Sequence, residues 1–344
     1  MAIYEKLMGN PFVDAGVSAI CEWLGQGTQP EEITTEDLEI MINQFAPIYC
    51  NPDWIKNLHS VFPGAEMTNP ANKNKDIVAL LRSNWQQNLD DIIPFGQVGD
   101  CAGCGRRSAV RDLIKKDVPL TGSGRLRNFF PLFSDGQGYC AACALAIQFI
   151  PLSLVSSGGK FLMLHSNIWR VQRKWAQICV SDIQSRAAQS EFTGCFNPGY
   201  TNPRNGLFYM TSQLIDYEER RATEDIVMQI FCFSNYNQGP ELEIFHLPAP
   251  VFRFLRYAYQ NEFRRAWQQI VLSGYQWVKW DEVESEEDYK NKDNRVYESL
   301  LQGRSILGFF INRRARKARS NWELLYLYLK EVRNMDESRL NAIK

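Results

Sequence analysis

The chain has 344 residues and a net charge of -1, with 38 Lys and Arg against 39 Asp and Glu. Apolar residues make up 45% and charged residues 22%, a globular balance that excludes a disordered chain, and the near-zero charge excludes a uniformly basic, histone-like nucleic-acid binder. The length suits two or three domains at about 100–200 residues each, and it leaves room for local basic faces, because electrostatic binding follows clusters and not sums.

The start, Met1 to Met8, carries no basic segment followed by an apolar run, so no secretory signal is expected. Asn10-Pro11 can open a helix, and apolar residues at 13, 17, 20, 23 and 24 make a helical stripe that Gly25 and Gly27 stop. Thr34-Thr-Glu-Asp predicts a capped second helix to about Phe45. Residues 62–76, with Pro63-Gly64, Asn69-Pro70 and Asn72-Lys-Asn-Lys75, read as a polar, basic loop, and Ile77 to Leu89 as a helix. Beyond the cysteine region, Phe161 to Leu164 suggests a strand and Ile168 to Ile183 a helix. The Gly, Pro and Asn content of 191–210 suggests a long loop. Residues 225–233 and 241–246 flank a turn and read as a hairpin. From Pro250 onward the pattern is helical: 251–270, 297–310 and 322–332, with an acidic solvated run at 281–288. The expected fold class is α+β, irregular and multi-lobed, with an antiparallel hairpin or sheet, a four-cysteine insert and a helical C-terminal part. Expected segments are an N-terminal helical lobe at 1–97, the insert at 98–145, an α+β core at 146–250 and a helical region at 251–344. The most apolar stretch, Cys143 to Val155, is shorter than the about 20 residues a bilayer span needs, so no membrane partner and a cytoplasmic location are expected.

Nine cysteines, an odd number spread over the chain, do not suit a secreted disulfide framework. Cys21, Cys50, Cys179, Cys195 and Cys232 stand singly and read as small buried hydrophobes. Cys101-Ala-Gly-Cys104 and Cys140-Ala-Ala-Cys143 form two tight pairs, 35 residues apart. Two residues between cysteines let both sulfurs reach one ion, and four thiolates close a tetrahedral site with no open position, which points to structural Zn2+. The rivals are a redox Cys-x2-Cys, which would usually stand alone at a strand–helix junction, and four unrelated buried thiols.

Between the pairs lie seven bases and three acids, a local balance of +4. They include Arg106 and Arg107, and the Gly-rich turn Thr121-Gly-Ser123-Gly-Arg125-Leu-Arg127-Asn128. Glycines let a backbone approach phosphate closely, and Arg binds phosphate or base edges. The segment 303–319 adds six bases and no acid, among them Arg313, Arg314, Arg316, Lys317 and Arg319. The small loop Asn72, Lys73, Asn74, Lys75 could probe a groove. A solvated basic surface is the plain alternative for each. Catalytic constellations are thin. The three histidines, His59, His165 and His246, have no metal-dyad spacing, and there is no phosphate-binding loop or nucleophile elbow. A non-enzymatic role is expected.

Several further motifs carry a family resemblance. They are Met8-Gly-Asn-Pro-Phe-Val-Asp-Ala-Gly16, the two cysteine pairs with Asn128-Phe-Phe-Pro131 between them, Phe149-Ile-Pro-Leu152, Phe233-Ser-Asn-Tyr-Asn-Gln-Gly-Pro240 with Leu247-Pro248, Tyr297 to Gly303, and Leu327 to Val332. In this order, over nearly the whole chain, they resemble the CRISPR-associated large subunit of type I-B Cascade complexes. The family's later helical bundle, similar to the small subunit, is expected to follow from 251–344, although this chain stops at Lys344. The resemblance implies a crRNA-guided surveillance complex in which this subunit reads the short PAM duplex of target double-stranded DNA, helps split the strands and recruits a helicase-nuclease or, in transposon-associated relatives, transposition machinery. Implied partners are crRNA, target DNA and the backbone, 5'-handle-binding and small subunits. Target sequence itself would be read by base pairing. PAM-proximal contacts are expected at the 71–75 loop and at Thr121 to Asn128, and nucleic-acid backbone contacts at Arg313, Arg314, Arg316, Lys317 and Arg319. The alternatives are a metal-dependent nucleic-acid enzyme and a zinc-ribbon scaffold for other proteins.

Overall fold

The computed structural model describes residues 2–25, 27–96, 98–123, 134–218, 226–236, 239–312 and 315–343. The fold is α+β, and its contacts group into two compact units. The first comprises Met1–His165, Trp169–Asn197 and Phe231–Glu243; the second comprises Ser166–Ile168, Pro198–Ile230 and Ile244–Lys344. The N-terminal lobe and the cysteine region both fall in the first unit.

The first unit begins with α1 (Pro11–Leu24), opened by the Asn10 side chain, which accepts from the amides of Phe12 and Val13, and closed at Gly25 with φ 136°. The expected capping box starts α2 (Thr35–Tyr49): Thr34 accepts from the Asp37 amide and Asp37 accepts in return. The helix runs past Phe45 and through Pro47, because its face is held by core rings. Tyr49 stacks on Trp54 at 5.1 Å, its hydroxyl donates to the Gln148 carbonyl at 3.0 Å, and Phe45 meets Phe149 edge-on. Then come α3 (Pro52–Leu58) and α4 (Ile77–Asp90). A short antiparallel ribbon follows, β1 (Arg111–Leu113) with β2 (Gln137–Tyr139), leading into α5 (Ala141–Gln148). Strand β3 (Val155–Ser157) pairs antiparallel with β4 (Lys160–Ser166), and α6 (Trp169–Ala188) packs against α1. Here Arg173 meets the buried Glu22 carboxylate at 2.5 Å; burial raises the Glu22 pKa and Arg173 opposes that rise.

The expected hairpin is present as β5 (Met228–Ser234) and β6 (Glu241–Leu247), neighbours in a sheet ordered β3-β4-β5-β6. The long loop expected at 191–210 is shorter. Helix α7 (Pro203–Glu218) starts inside it, because Asn202 caps the amides of Arg204 and Asn205 and Pro203 supplies the first-turn φ. The same Asn-Pro that reads as a loop in sequence is a helix start.

In the second unit the single helix expected at 251–270 is two, α8 (Ala249–Ala258) and α9 (Asn261–Leu272), broken where Gln260 is extended at φ -62°, ψ 149°. No Gly or Pro marks that break. Helix α10 (Arg295–Leu301) ends at Gly303, φ 66°, and does not reach Phe310. The basic segment instead forms a two-stranded ribbon, β7 (Ile311–Asn312) with β8 (Lys317–Ala318). Helices α11 (Trp322–Glu331) and α12 (Glu337–Ile343) complete the unit. Its core includes Phe208 stacked on Tyr297 at 4.0 Å, and Phe254 edge-on to Tyr328, whose hydroxyl accepts from the Ile306 amide. Among the described residues, no helix is long and apolar enough to cross a membrane.

Helix α1 comes close to α5 at Gly16, where an added Cβ would lie 2.0 Å from the Ala146 carbonyl oxygen. The Gly16→Ala variant should lose about 1–3 kcal/mol, the usual cost of overpacking, read as a lower denaturant midpoint with an unchanged slope.

Candidate metal centre and basic surfaces

The four paired cysteines converge. Cys101, Cys104, Cys140 and Cys143 place their sulfurs all within 4.8 Å of one another, and Cys104 Sγ lies 3.9 Å from Cys140 Sγ. A regular tetrahedron with Zn–S of about 2.3 Å has S···S edges of about 3.8 Å, so the cluster needs little contraction to close on one ion. The sequence builds this from two different local structures. Cys101 to Gly105 is a knuckle: the Gly105 amide donates to the Cys101 carbonyl at 2.8 Å, and Gly105 takes φ 64°, which glycine adopts freely. Cys140 and Cys143 instead start α5, with Cys140 as its N-cap and Cys143 in the first turn.

The surroundings suit thiolates. The amides of Gly103 and Cys140 donate to Cys101 Sγ at 3.3 and 3.1 Å, and the α5 N-terminus presents the positive end of its dipole. Gly103 is needed for clearance, because a Cβ there would lie 2.8 Å from both Cys143 Cβ and Sγ. Hydrogen bonding among the sulfurs, first between Cys101 and Cys104 and then with the second pair, holds Cys104 far below the usual thiol range. The bond to Cys104 raises Cys101, but the bonds to Cys140 and Cys143 outweigh it and bring Cys101 down to about 6, while the bonds to Cys101 and Cys104 push Cys140 and Cys143 up. The redox reading and the reading of four unrelated thiols both lose ground, because all four sulfurs share one enclosed point. The five remaining cysteines lie apart from it, and burial pushes Cys21 and Cys195 up to about 12.

A second layer holds the knuckle. Tyr4, fully buried, donates to the Ala142 carbonyl at 2.9 Å, and Asn10 Nδ2 donates to the Ala102 carbonyl at 3.3 Å. The Cys101 amide donates to the Arg107 carbonyl at 3.1 Å. Neither Tyr4 nor Asn10 is legible as a supporting residue, since each acts across about 90 or more residues of chain.

This placement corrects two expectations. Arg107 is not on a nucleic-acid surface: it is 2% exposed, its guanidinium donates to the carbonyls of Ile93 and Ile3 at 2.7 Å each, and it lies 3.6 Å from the Phe95 ring centroid. Asn72 is also buried, donating to the Glu66 carbonyl at 3.1 Å, so it shapes the 72–75 loop and does not project from it. Arg106 is half-buried, paired with Glu5 at 2.8 Å and set over Phe95. Lys73, Asn74 and Lys75 are exposed, and Ser123 is half-buried. Arg125, Arg127, Asn128, Arg313 and Arg314 lie outside the described residues.

In the second unit, Lys317 and Arg319 line an open groove of about 520 Å³ together with Trp280 and Asn312. Arg316 is exposed at φ 49°. Exposed Trp280 beside two cations can stack a base while the cations meet phosphate. Its position next to an acidic run gives no sequence signal of this.

Purified protein should carry one Zn2+ per chain by elemental analysis, and Cys104→Ser or Gly103→Ala should lower that content. All four sulfurs would bind as thiolates, so protons compete with the metal: acidification should release it and alkaline pH should retain it. A metal-free yet stably folded wild-type chain would refute the site.

Residues 96–155 match the model of a family described as CRISPR-associated protein (Cas_CXXC_CXXC). Among curated proteins and solved structures, none matches the chain. The matched stretch contains all four cysteines of the converged site, and it indicates a CRISPR-associated protein.

Proposed function

We propose that the chain is the large subunit of a crRNA-guided type I-B Cascade surveillance complex. In this reading it recognises the PAM duplex of target DNA, assists strand separation and recruits a downstream effector, either a helicase-nuclease or transposition machinery. The observation that carries the reading is the four-sulfur centre lying within the CRISPR-associated match, with the basic insert containing Thr121 to Asn128 between its two pairs. A structural ion there would fix the two ends of that insert and leave its middle to meet a duplex.

The role is non-catalytic. The His165 Nε2 lies 3.1 Å from Asp14 Oδ2, but Asp14 is buried and also accepts from the Met8 and Gly9 amides, so the pair ties the N-terminal segment to β4. That arrangement is a structural link and not an acid–base pair facing a substrate. Exposed Lys73 and Lys75 suit duplex contacts, and the Trp280, Lys317 and Arg319 groove suits a displaced strand or the crRNA.

The test is binding of the assembled crRNA complex to a PAM library, with Lys73→Ala/Lys75→Ala and Lys317→Ala/Arg319→Ala compared against wild type. Each lost phosphate contact should weaken binding and lower the log–log salt slope by about 0.9. The first pair should also blunt PAM discrimination. Unchanged affinity, slope and PAM preference in both variants would sink the assignment.

A further inference from the structure

The second unit contains a pocket of about 390 Å³ that the proposed role does not use. Its walls are largely aromatic. Tyr200 and Tyr209 face each other with centroids 5.2 Å apart, and Tyr275 meets Tyr289 at 5.1 Å with the planes 65° apart. Burial, with Glu286 next, raises the pKa of Tyr200, so its phenol stays neutral, and burial does the same for Tyr275. Glu286 is the one carboxylate among the residues that line the pocket, and Tyr200 donates to it at 3.3 Å. Its neighbourhood is acidic, with six acids against two lysines over 279–290. A phosphate-bearing ligand is disfavoured there, and a cation is favoured.

One buried polar atom reinforces this. Asn205 is 2% exposed, and its amide nitrogen is spent on the carbonyls of Lys290 and Lys292 at 2.7 Å each. Its carbonyl oxygen is left without a partner, and the residue lines the pocket. A buried acceptor without a donor costs free energy that a ligand N–H would recover. A cation already neighbours these rings: the Lys290 ammonium, paired with Glu287, lies 5.3 Å from the Tyr200 ring centroid.

We infer that this pocket binds an organic cation, an ammonium or guanidinium group, held by the tyrosine faces and by Glu286. The group could come from a free alkylammonium compound or from a Lys or Arg side chain of a partner protein. Either source offers the same chemistry to the same walls.

Calorimetric titration of the full chain tests it with four probes: choline, its neutral carbon analogue 3,3-dimethyl-1-butanol, N-acetyl-arginine amide and guanosine. At least one of the two cations should bind, about tenfold more tightly than the neutral analogue. Choline alone would identify a free alkylammonium ligand, and the arginine amide alone or more tightly would identify a partner side chain. Glu286→Gln, at an exposed position that should leave the fold intact, should weaken cation binding about two- to fivefold, and Tyr289→Ala should weaken it further. Equal binding of the neutral analogue, tighter binding of guanosine, or no binding of either cation at millimolar concentration would overturn the assignment.

Discussion

The first unit depends on bringing two distant Cys-x2-Cys pairs to one point. One pair sits in a knuckle that needs Gly105 at positive φ, and the other at the start of α5. Four thiol groups packed this closely suit a dication that would let all four bind as thiolates. The close approach of α1 to α5, the Tyr4 and Asn10 bonds and the inward turn of Arg107 are arranged around that point. Such a centre can hold a loop that has too little apolar surface to fold alone.

The distribution of charge follows from the same economy. A net of -1 conceals a basic insert, a basic ribbon and an acidic run. Burial then sorts the bases further. Arg107 is consumed inside by carbonyls and an aromatic face, and Arg106 is partly neutralised by Glu5, while Lys73, Lys75, Arg316 and Lys317 stay in solvent. The planar guanidinium of Arg107 satisfies two carbonyls and a ring face at once, which suits it to this buried place. The acidic run serves a different purpose, forming 3-10 turns beside an aromatic pocket.

Much of the helical content is legible locally. Asn10-Pro11, the Thr34–Asp37 box and the apolar stripes fix where α1, α2, α4 and α6 lie to within a few residues, because caps and periodicity are short-range signals. The misreadings share one cause. Asn202-Pro203 carries the same residues whether it opens a helix or continues a loop, and Gln260 breaks a helix without any breaker residue. In both, the local residues are compatible with either conformation, and the difference lies in which contacts the folded chain makes. The β1–β2 ribbon escapes notice for a related reason, since three-residue strands have no period to read.

The sequence by itself determined the four candidate ligands and their spacing, which are covalent facts, and the fold then decided between a shared site and unrelated thiols by bringing all four sulfurs within 4.8 Å of one another. The sequence also determined the α+β class and which segments are basic. Only the tertiary structure decided which bases are available. Asn72 and Arg107 are withdrawn by hydrogen bonds to carbonyls six to more than a hundred residues away, and no local pattern encodes those partners. The same holds for the aromatic pocket. Its tyrosines come from α7 and the loop before it, from the ends of α8 and α9, from the turn at residue 289 and from α10, so their shared enclosure exists only once the second unit has folded.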